Sequence, residues 1–368
     1  MITEQLAEFR NRVFSSSRFQ NAAASLPLVR RIAHNRAREL FDLTAGFVYA
    51  QVLGACVELD LFRRLEGDAA PVEALAQECG LPSDAMRRLA KAAASLRLLE
   101  MRSGDRVGLG PQGAALLGNP SVFEMVRHHR LLYEDLIDPV AMLRGPRGET
   151  HLARFWGYAR KSSNGNREAG DSESYSALME ATQAFIARDV LDAHDVSGYR
   201  HIADIGGGTG AFLLAVAEKA PEAALTLFDL PEVAELAQER FARSGLGNRA
   251  RALGGDFRAS ELPQDADLMT LVRVLHDHDN DVVISLLDAV HRSLPPGGKL
   301  LVAEPMAGTK GASAMGDAYF GIYLWAMGSG EPRTEATLRS LMKKAGFQRI
   351  RRLSTRRPLL TGVIIGEK

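Results

Sequence analysis

The chain has 368 residues, enough for two domains of ordinary size, and 46% of them are apolar, enough for a substantial core. Its 45 basic and 45 acidic residues cancel, so composition offers no global electrostatic case for nucleic-acid binding. Only Cys56 and Cys79 occur, both in helical patterns without metal or redox spacing; with no apolar run of membrane-span length and no signal-peptide block, a soluble cytoplasmic protein with buried thiols is expected.

The first forty residues are basic. Arg10, Arg12, Arg18, Arg30, Arg31, Arg36 and Arg38 stand against Glu4, Glu8 and Glu39, interleaved with Phe9, Val13, Phe14, Phe19, Leu26, Leu28 and Ile32. This composition predicts a helical arm that packs on a partner subunit, with peripheral contact to a membrane surface as the second reading. Residues 41–66 follow as a largely apolar helical segment, with Phe47, Val48, Gln51, Val52, Ala55 and Leu59 at helical spacing. It is apolar on too many faces for a solvent-facing arm, so a homodimer is expected. Gly80 then stops one helix, and Ser83 is placed to cap another that runs to about Leu98. Leu99–Arg102, Gly104 and Arg106–Leu109 suggest a hairpin. The outline is a winged helix. Arg87, Arg88, Lys91 and Arg97 could touch phosphates, which keeps a DNA-binding regulator open as a competing class. The neutral net charge favours a dimerisation role with no nucleic acid.

Residues 112–158 predict further helices carrying Phe123, Met125, Leu131, Leu132, Tyr133, Leu136, Met142, Phe155, Trp156 and Tyr158, either as core or as the wall of an apolar cavity. Arg160–Ser174 is polar and rich in Gly, Ser and Asn, the composition of a mobile linker or gate. Three parts are therefore expected: a helical, winged-helix-like domain over 1–160, a linker over 161–174, and an α/β domain over 175–368 that opens with a helix from Tyr175 to about His194.

Residues 201–210, His-Ile-Ala-Asp-Ile-Gly-Gly-Gly-Thr-Gly, run from an apolar strand into a glycine cluster, and a helical pattern starts at Ala211. Glycine tolerates unusual torsions and lets a ligand approach the backbone. The helix N-terminus beyond supplies free N–H groups. A second strand, Ala224–Phe228, ends in Asp229-Leu230-Pro231, about twenty residues past the glycines, where an acid grips ribose hydroxyls. A third segment ends in Gly254-Gly255-Asp256-Phe257. A fourth strand, Asp267–Leu275, ends in His276-Asp277-His278-Asp279, and a fifth, Lys299–Ala303, in Glu304. Ligands of an open parallel sheet bind at that strand edge. The spacing Gly206-Gly207-Gly208-Thr209-Gly210-Ala211 is not the usual dinucleotide loop. Two imidazoles beside Asp277, Asp279 and Asp281 raise the question of a metal, but the acids suit the start of the next helix, and no metal site is expected.

Taken together, the glycine run, Asp229-Leu230-Pro231, Gly255-Asp256-Phe257 and Leu275-His276-Asp277 resemble the S-adenosylmethionine-dependent O-methyltransferases of the plant caffeate and acetylserotonin type. The resemblance implies a Rossmann-like class I methyltransferase sheet behind a winged-helix-like dimerisation domain, with the acceptor pocket between the two. It implies S-adenosyl-L-methionine as cofactor, and His276 as the base that takes the acceptor's proton, a task suited to imidazole. Gly206 and Gly208 would admit the methionine portion, Asp229 the ribose hydroxyls, Leu230 and Phe257 the adenine faces, and Asp256 the adenine amino group. In this family two glutamates bracket the base. Glu304 matches the first, with Asp277 beside the base; the second normally precedes Arg-Thr, but here Pro332 holds that place and Glu331 is displaced by one. His278 stands where the family usually has Trp.

A narrower resemblance is to bacterial carotenoid hydroxyl methyltransferases. It rests on Phe19-Gln20, residues 37–42, residues 46–49, Gly110-Pro111, residues 117–120, His128-His129, Arg154-Phe155-Trp156 and residues 330–334. It implies an apolar small-molecule acceptor, a tertiary hydroxyl on an acyclic carotenoid. A tertiary alcohol is a weaker acid than a phenol, so phenolic polyketide and tetrapyrrole acceptors stay open.

Overall fold

The computed structural model describes residues 2–25, 27–160, 183–358 and 360–368. The chain forms two compact units, Met1–Arg127 and His128–Lys368. The division falls earlier than residue 160. Leu132 and Leu152 are buried with Tyr323, Leu324, Ala326 and Met327, which ties the helices after Arg127 to the second unit. The expected linker and gate at 160–174, and the start of the helix expected from Tyr175, lie almost wholly outside the described residues; helix is present over 183–193.

The first unit opens with helices Ile2–Ser15, Ser17–Ser25 and Pro27–Glu58. The third is one continuous helix, and it corrects the expectation that no segment reaches span length: Arg30–Glu58 is long and apolar enough, by length and composition, to cross a membrane. The reason is that no charged residue falls between Asp42 and Glu58. Its last turn enters a core of Cys56, Val57, Leu61, Phe62, Leu65, Val72, Leu75, Met86 and Val107. Burial pushes the Cys56 thiol up to about 12, so it stays protonated; Cys79 is half-buried. Three short strands, β1 (Ala70–Pro71), β2 (Leu99–Arg102) and β3 (Arg106–Leu109), pair in the order β1-β3-β2 beside helices Val72–Glu78 and Ser83–Ser95. The winged-helix outline is present. Pro82, extended at φ −60 and ψ 143, occupies the cap position, so Ser83 is the first helical residue and makes no capping bond. Arg87 is held by Asp105 of the hairpin turn at 2.6 Å.

The second unit contains β4 (His201–Ile205), β5 (Ala224–Asp229), β6 (Ala250–Gly254), β7 (Leu268–Val272), β8 (Lys299–Glu304), β9 (Gln348–Leu353) and β10 (Gly362–Glu367), in the order β6-β5-β4-β7-β8-β10-β9. The first five are parallel, and β10 inserts antiparallel between β8 and β9. Both faces are covered. Ile202, Phe212, Leu225, Leu227 and Phe241 pack on one side, and Ala203, Ile205, Met269, Leu271 and Leu286 on the other. This burial explains the near-continuous apolar strands. Strand order reverses between β4 and β7, so the crevice for a ligand opens at their C-terminal ends. β7 ends at Val272 rather than Leu275, because Arg273 takes a left-handed φ of 60 and Leu275–Asp277 winds into a single 3₁₀ turn.

On the long helix Leu43 is 80% exposed and Phe47 70%, in a row with Leu40, Phe41 and Val48. A contiguous apolar row of this kind calls for a partner surface. Light scattering at micromolar concentration is expected to return a dimeric mass, and Phe47→Glu a monomeric one. A monomeric native chain would contradict this.

Candidate active site

The glycine loop is shaped by what lies beneath it. Gly206 has φ +70, and a Cβ there would stand 2.8 Å from Val274 Cγ2. Gly208 has φ +58 and meets nothing within 4 Å, so its outer face is open. The Gly208 N–H donates to Asp229 Oδ2 at 2.8 Å, and the Leu230 N–H to Asp229 Oδ1 at 2.7 Å. The half-buried Asp229 carboxylate thus stitches the loop to the end of β5, and desolvation pushes its pKa up. Asp204, within β4, was not singled out in the sequence, although an acid inside an apolar strand is a readable signal. Its Oδ1 accepts from Thr270 Oγ1 at 2.6 Å, while Oδ2 is buried with no hydrogen-bond partner. Desolvation pushes this carboxyl up to about 7. A Cβ on Gly207 would come within 2.6 Å of that oxygen. An underpaired acid beneath an open glycine loop fits a ligand that brings a cationic group.

The Gly255 N–H donates to the Asp229 carbonyl at 2.8 Å, which sets the third segment beside the second. Asp256 accepts from the Arg258 guanidinium at 2.8 Å, and this bond holds its carboxyl below the usual range. The Phe257 ring meets His278 edge-on at 5.2 Å. His278 therefore packs against a residue expected on the adenine side.

His276 lies on the 3₁₀ turn after β7, 7% exposed. Its Nδ1 is 2.5 Å from Glu304 Oε2, and Glu304 Oε1 accepts the N–H groups of Val274 at 3.0 Å and Leu275 at 2.7 Å. Its Nε2 lies 3.2 Å from Asp277 Oδ1. Burial alone lowers the pKa of this imidazole; Asp277 and then Glu304 outweigh it, and the net direction is upward. The displaced Glu331 does not complete the bracket. Its carboxylate accepts from Asn280 Nδ2 at 2.5 Å and pairs with Arg333 at 3.4 Å, while its N–H donates to the His276 carbonyl at 3.1 Å. Arg333, quoted in the sequence only as part of a motif, is 3% exposed and donates to the carbonyls of Leu275 at 2.7 Å and His278 at 2.8 Å. It clamps the turn that carries the base.

The aromatic stock of residues 112–158 also supplies a buried polar network. His128 Nε2 lies 2.6 Å from Tyr323 Oη, and Trp156 Nε1 donates to that oxygen at 2.9 Å. His129 pairs with Tyr319 at 2.6 Å. Burial pushes His128 down to about 4, so it is neutral at pH 7 and shares a hydrogen bond with the Tyr323 hydroxyl. Tyr319 lies in a stretch of π-helix, Ala314–Phe320, whose Phe320 ring lies 6.4 Å from that of His276. Such stretches concentrate at functional sites.

Comparison with known proteins places this geometry. An O-methyltransferase domain matches residues 133–348, and an O-methyltransferase dimerisation domain matches residues 41–119. The chain is 42% identical to demethylspheroidene O-methyltransferase of Rhodobacter capsulatus over 98% of its own length and 89% of that protein. It is 32% identical to acetylserotonin O-methyltransferase of Mus musculus, covering 87% and 86%. Among solved structures, mitomycin 7-O-methyltransferase superposes with a TM-score of 0.74 at 25% identity, over 92% of this chain and 100% of that one. Human N-acetylserotonin methyltransferase in complex with SAM, at 24% identity and TM-score 0.71 over 90% and 97%, shares the fold. The chain belongs to the O-methyltransferase family, with a Rossmann-like methyltransferase sheet and an N-terminal dimerisation domain.

Proposed function

We propose that this S-adenosylmethionine-dependent O-methyltransferase methylates the tertiary hydroxyl of a 1-hydroxylated acyclic carotenoid, with His276 as proton acceptor. The observation that carries the chemistry is a buried imidazole whose Nδ1 is engaged by Glu304, leaving Nε2 as the basic atom. The acceptor reading is supported by the 42% identity, along nearly the whole chain, to a protein named for demethylspheroidene.

When bound, the cofactor supplies an electrophilic methyl group on sulfonium, whose S–C bond breaks as the acceptor's O–C bond forms. The protein's share is binding, alignment and proton removal. Asp204 Oδ2, beneath Gly207, would pair the methionine ammonium beside the open face of Gly208. Asp229 keeps lone pairs for the ribose hydroxyls, Leu230 and Phe257 flank the adenine, and Asp256 accepts its amino group alongside Arg258. Holding Nδ1–H on Glu304 fixes the tautomer, so that Nε2, 3.2 Å from Asp277 Oδ1, is the atom that would receive the acceptor's proton. A tertiary alcohol is a poor acid, so this transfer must be concerted with O–C bond formation.

An apolar acceptor of this kind dissolves in membranes. The exposed Leu6 and Phe9, with Arg10, Arg12 and Arg18 on the same short helices, suit contact with an anionic lipid surface. We place the protein in the cytoplasm, peripheral to the membrane.

Calorimetric titration is expected to show binding of S-adenosylmethionine and none of NAD, with Asp229→Ala weakening the former by about 1.5–3 kcal/mol, the scale for hydrogen bonds to a charged acceptor. Equal affinity in the variant would remove Asp229 from the site. His276→Ala should keep cofactor affinity and lose roughly 10²–10⁴ in turnover, the usual worth of a positioned base; unchanged turnover would refute its role. Because the base must be neutral and its pKa is raised, kcat/KM should climb with pH through a midpoint above about 6.5, the ordinary histidine value. A midpoint at or below that value would contradict the assigned environment.

A further inference from the structure

The two nitrogens of His276 face two carboxylates of opposite character. Glu304, on Nδ1, keeps 2% of its side-chain surface and already accepts two backbone N–H groups. Asp277, on Nε2, keeps 29% of its side-chain surface, and it is the only one of the two that reaches water. Glu331, the residue expected at the second carboxylate position, is committed to Asn280 and Arg333. After each turnover the acceptor's proton sits on Nε2 of a ring only 7% exposed. It must leave before the next acceptor can be deprotonated.

We propose that Asp277 replaces the displaced Glu331 as the second carboxylate of the base and is the outlet for its proton. The inference rests on the reading that His276 accepts the acceptor's proton. The step balances without a further reagent. The Nε2–H bond breaks, an O–H bond forms on the Asp277 carboxylate, and that proton passes to water or buffer, leaving the ring neutral and the carboxylate charged. Asp277 acts through His276 rather than on the acceptor, so its loss affects the return of the base more than the transfer of the methyl group. The 3.2 Å separation allows the hand-over with a small movement of the side chain. The adjacent backbone is fixed, because Ser329 Oγ donates to the Asp277 carbonyl at 2.8 Å and Arg333 clamps the carbonyls on either side of the turn.

The test compares D277N, which keeps the shape, with E331Q in the full-length protein. First, ¹⁵N-histidine NMR of the cofactor-free protein follows the His276 titration. The midpoint should fall in D277N and stay in place in E331Q; the opposite pattern would overturn the proposal. Second, quenched-flow with labelled S-adenosylmethionine and a 1-hydroxylated acyclic carotenoid in detergent micelles separates the first turnover from the steady state. D277N should lose more in the steady state than in the first turnover, the steady state slowing by roughly 10²-fold, the low end for a proton-transfer group. Added imidazole or formate should restore the steady state in proportion to its concentration. Loss of the first turnover to the same extent, with no rescue by buffer, would also overturn the proposal. A native protein inactive on the carotenoid would count against the acceptor reading, and the NMR midpoints would still decide the place of Asp277.

Discussion

The site is organised around one buried carboxylate. Glu304 sits at the C-terminal end of a central strand, almost without solvent, and a bare charge there would be strongly unfavourable. It persists because three donors converge on it: the N–H groups of Val274 and Leu275 and Nδ1 of His276. Satisfying that carboxylate draws the chain after β7 out of the sheet plane and into a tight turn, and the turn presents the imidazole. Removing Glu304 would leave the base without a fixed tautomer. Removing His276 would leave a buried acid one donor short. The pair is better described as one unit than as a base with an accessory.

Around this unit the sheet supplies acids at successive strand ends, each with a different degree of pairing. Asp229 is tied to the glycine loop, Asp256 to its own Arg258, and Asp204 retains an oxygen without a partner. This gradient separates groups that shape the loop from one that would receive a ligand's charge. Much of it was legible in the sequence. Strand-end positions follow from apolar runs closed by Asp229, Asp256 and Glu304, and the glycine cluster marks the turn. Three features were less legible. Arg273 adopts a left-handed backbone that few arginines take, so the fourth strand ends before its apolar run does. Asp204 is meaningful only through what surrounds it. Arg333 works through backbone carbonyls, which leave no trace in side-chain patterns. The neighbouring proline displaces Glu331 by one residue, and in a turn one residue decides which way a side chain faces.

In the N-terminal unit, local pattern again served better than continuity. The hairpin is readable from Leu99–Arg102, Gly104 and Arg106–Leu109, and in the structure Gly104 and Asp105 turn it at positive φ. The long helix was not, because the change from a basic arm to an apolar segment near residue 41 is a change of environment and not of backbone. One helix carries both: an arginine-rich beginning, and a charge-free stretch whose large side chains are exposed on the single chain. A dimerisation domain that begins at this junction accounts for the apolar part.

The acceptor places the strictest demand on the account. A phenol surrenders its proton readily and asks little of the base, whereas a tertiary alcohol requires the imidazole, the hydroxyl and the methyl group to be aligned at once. The buried His128–Tyr323 pair with Trp156, and the half-buried His129–Tyr319 pair, place polar groups and aromatic rings within the same unit as the base. The most direct measurement is incubation with methyl-labelled S-adenosylmethionine and two acceptor pools together, 1-hydroxylated acyclic carotenoids and simple phenols or catechols. The account predicts label in the methyl ether of the carotenoid. Label confined to the phenols would contradict it.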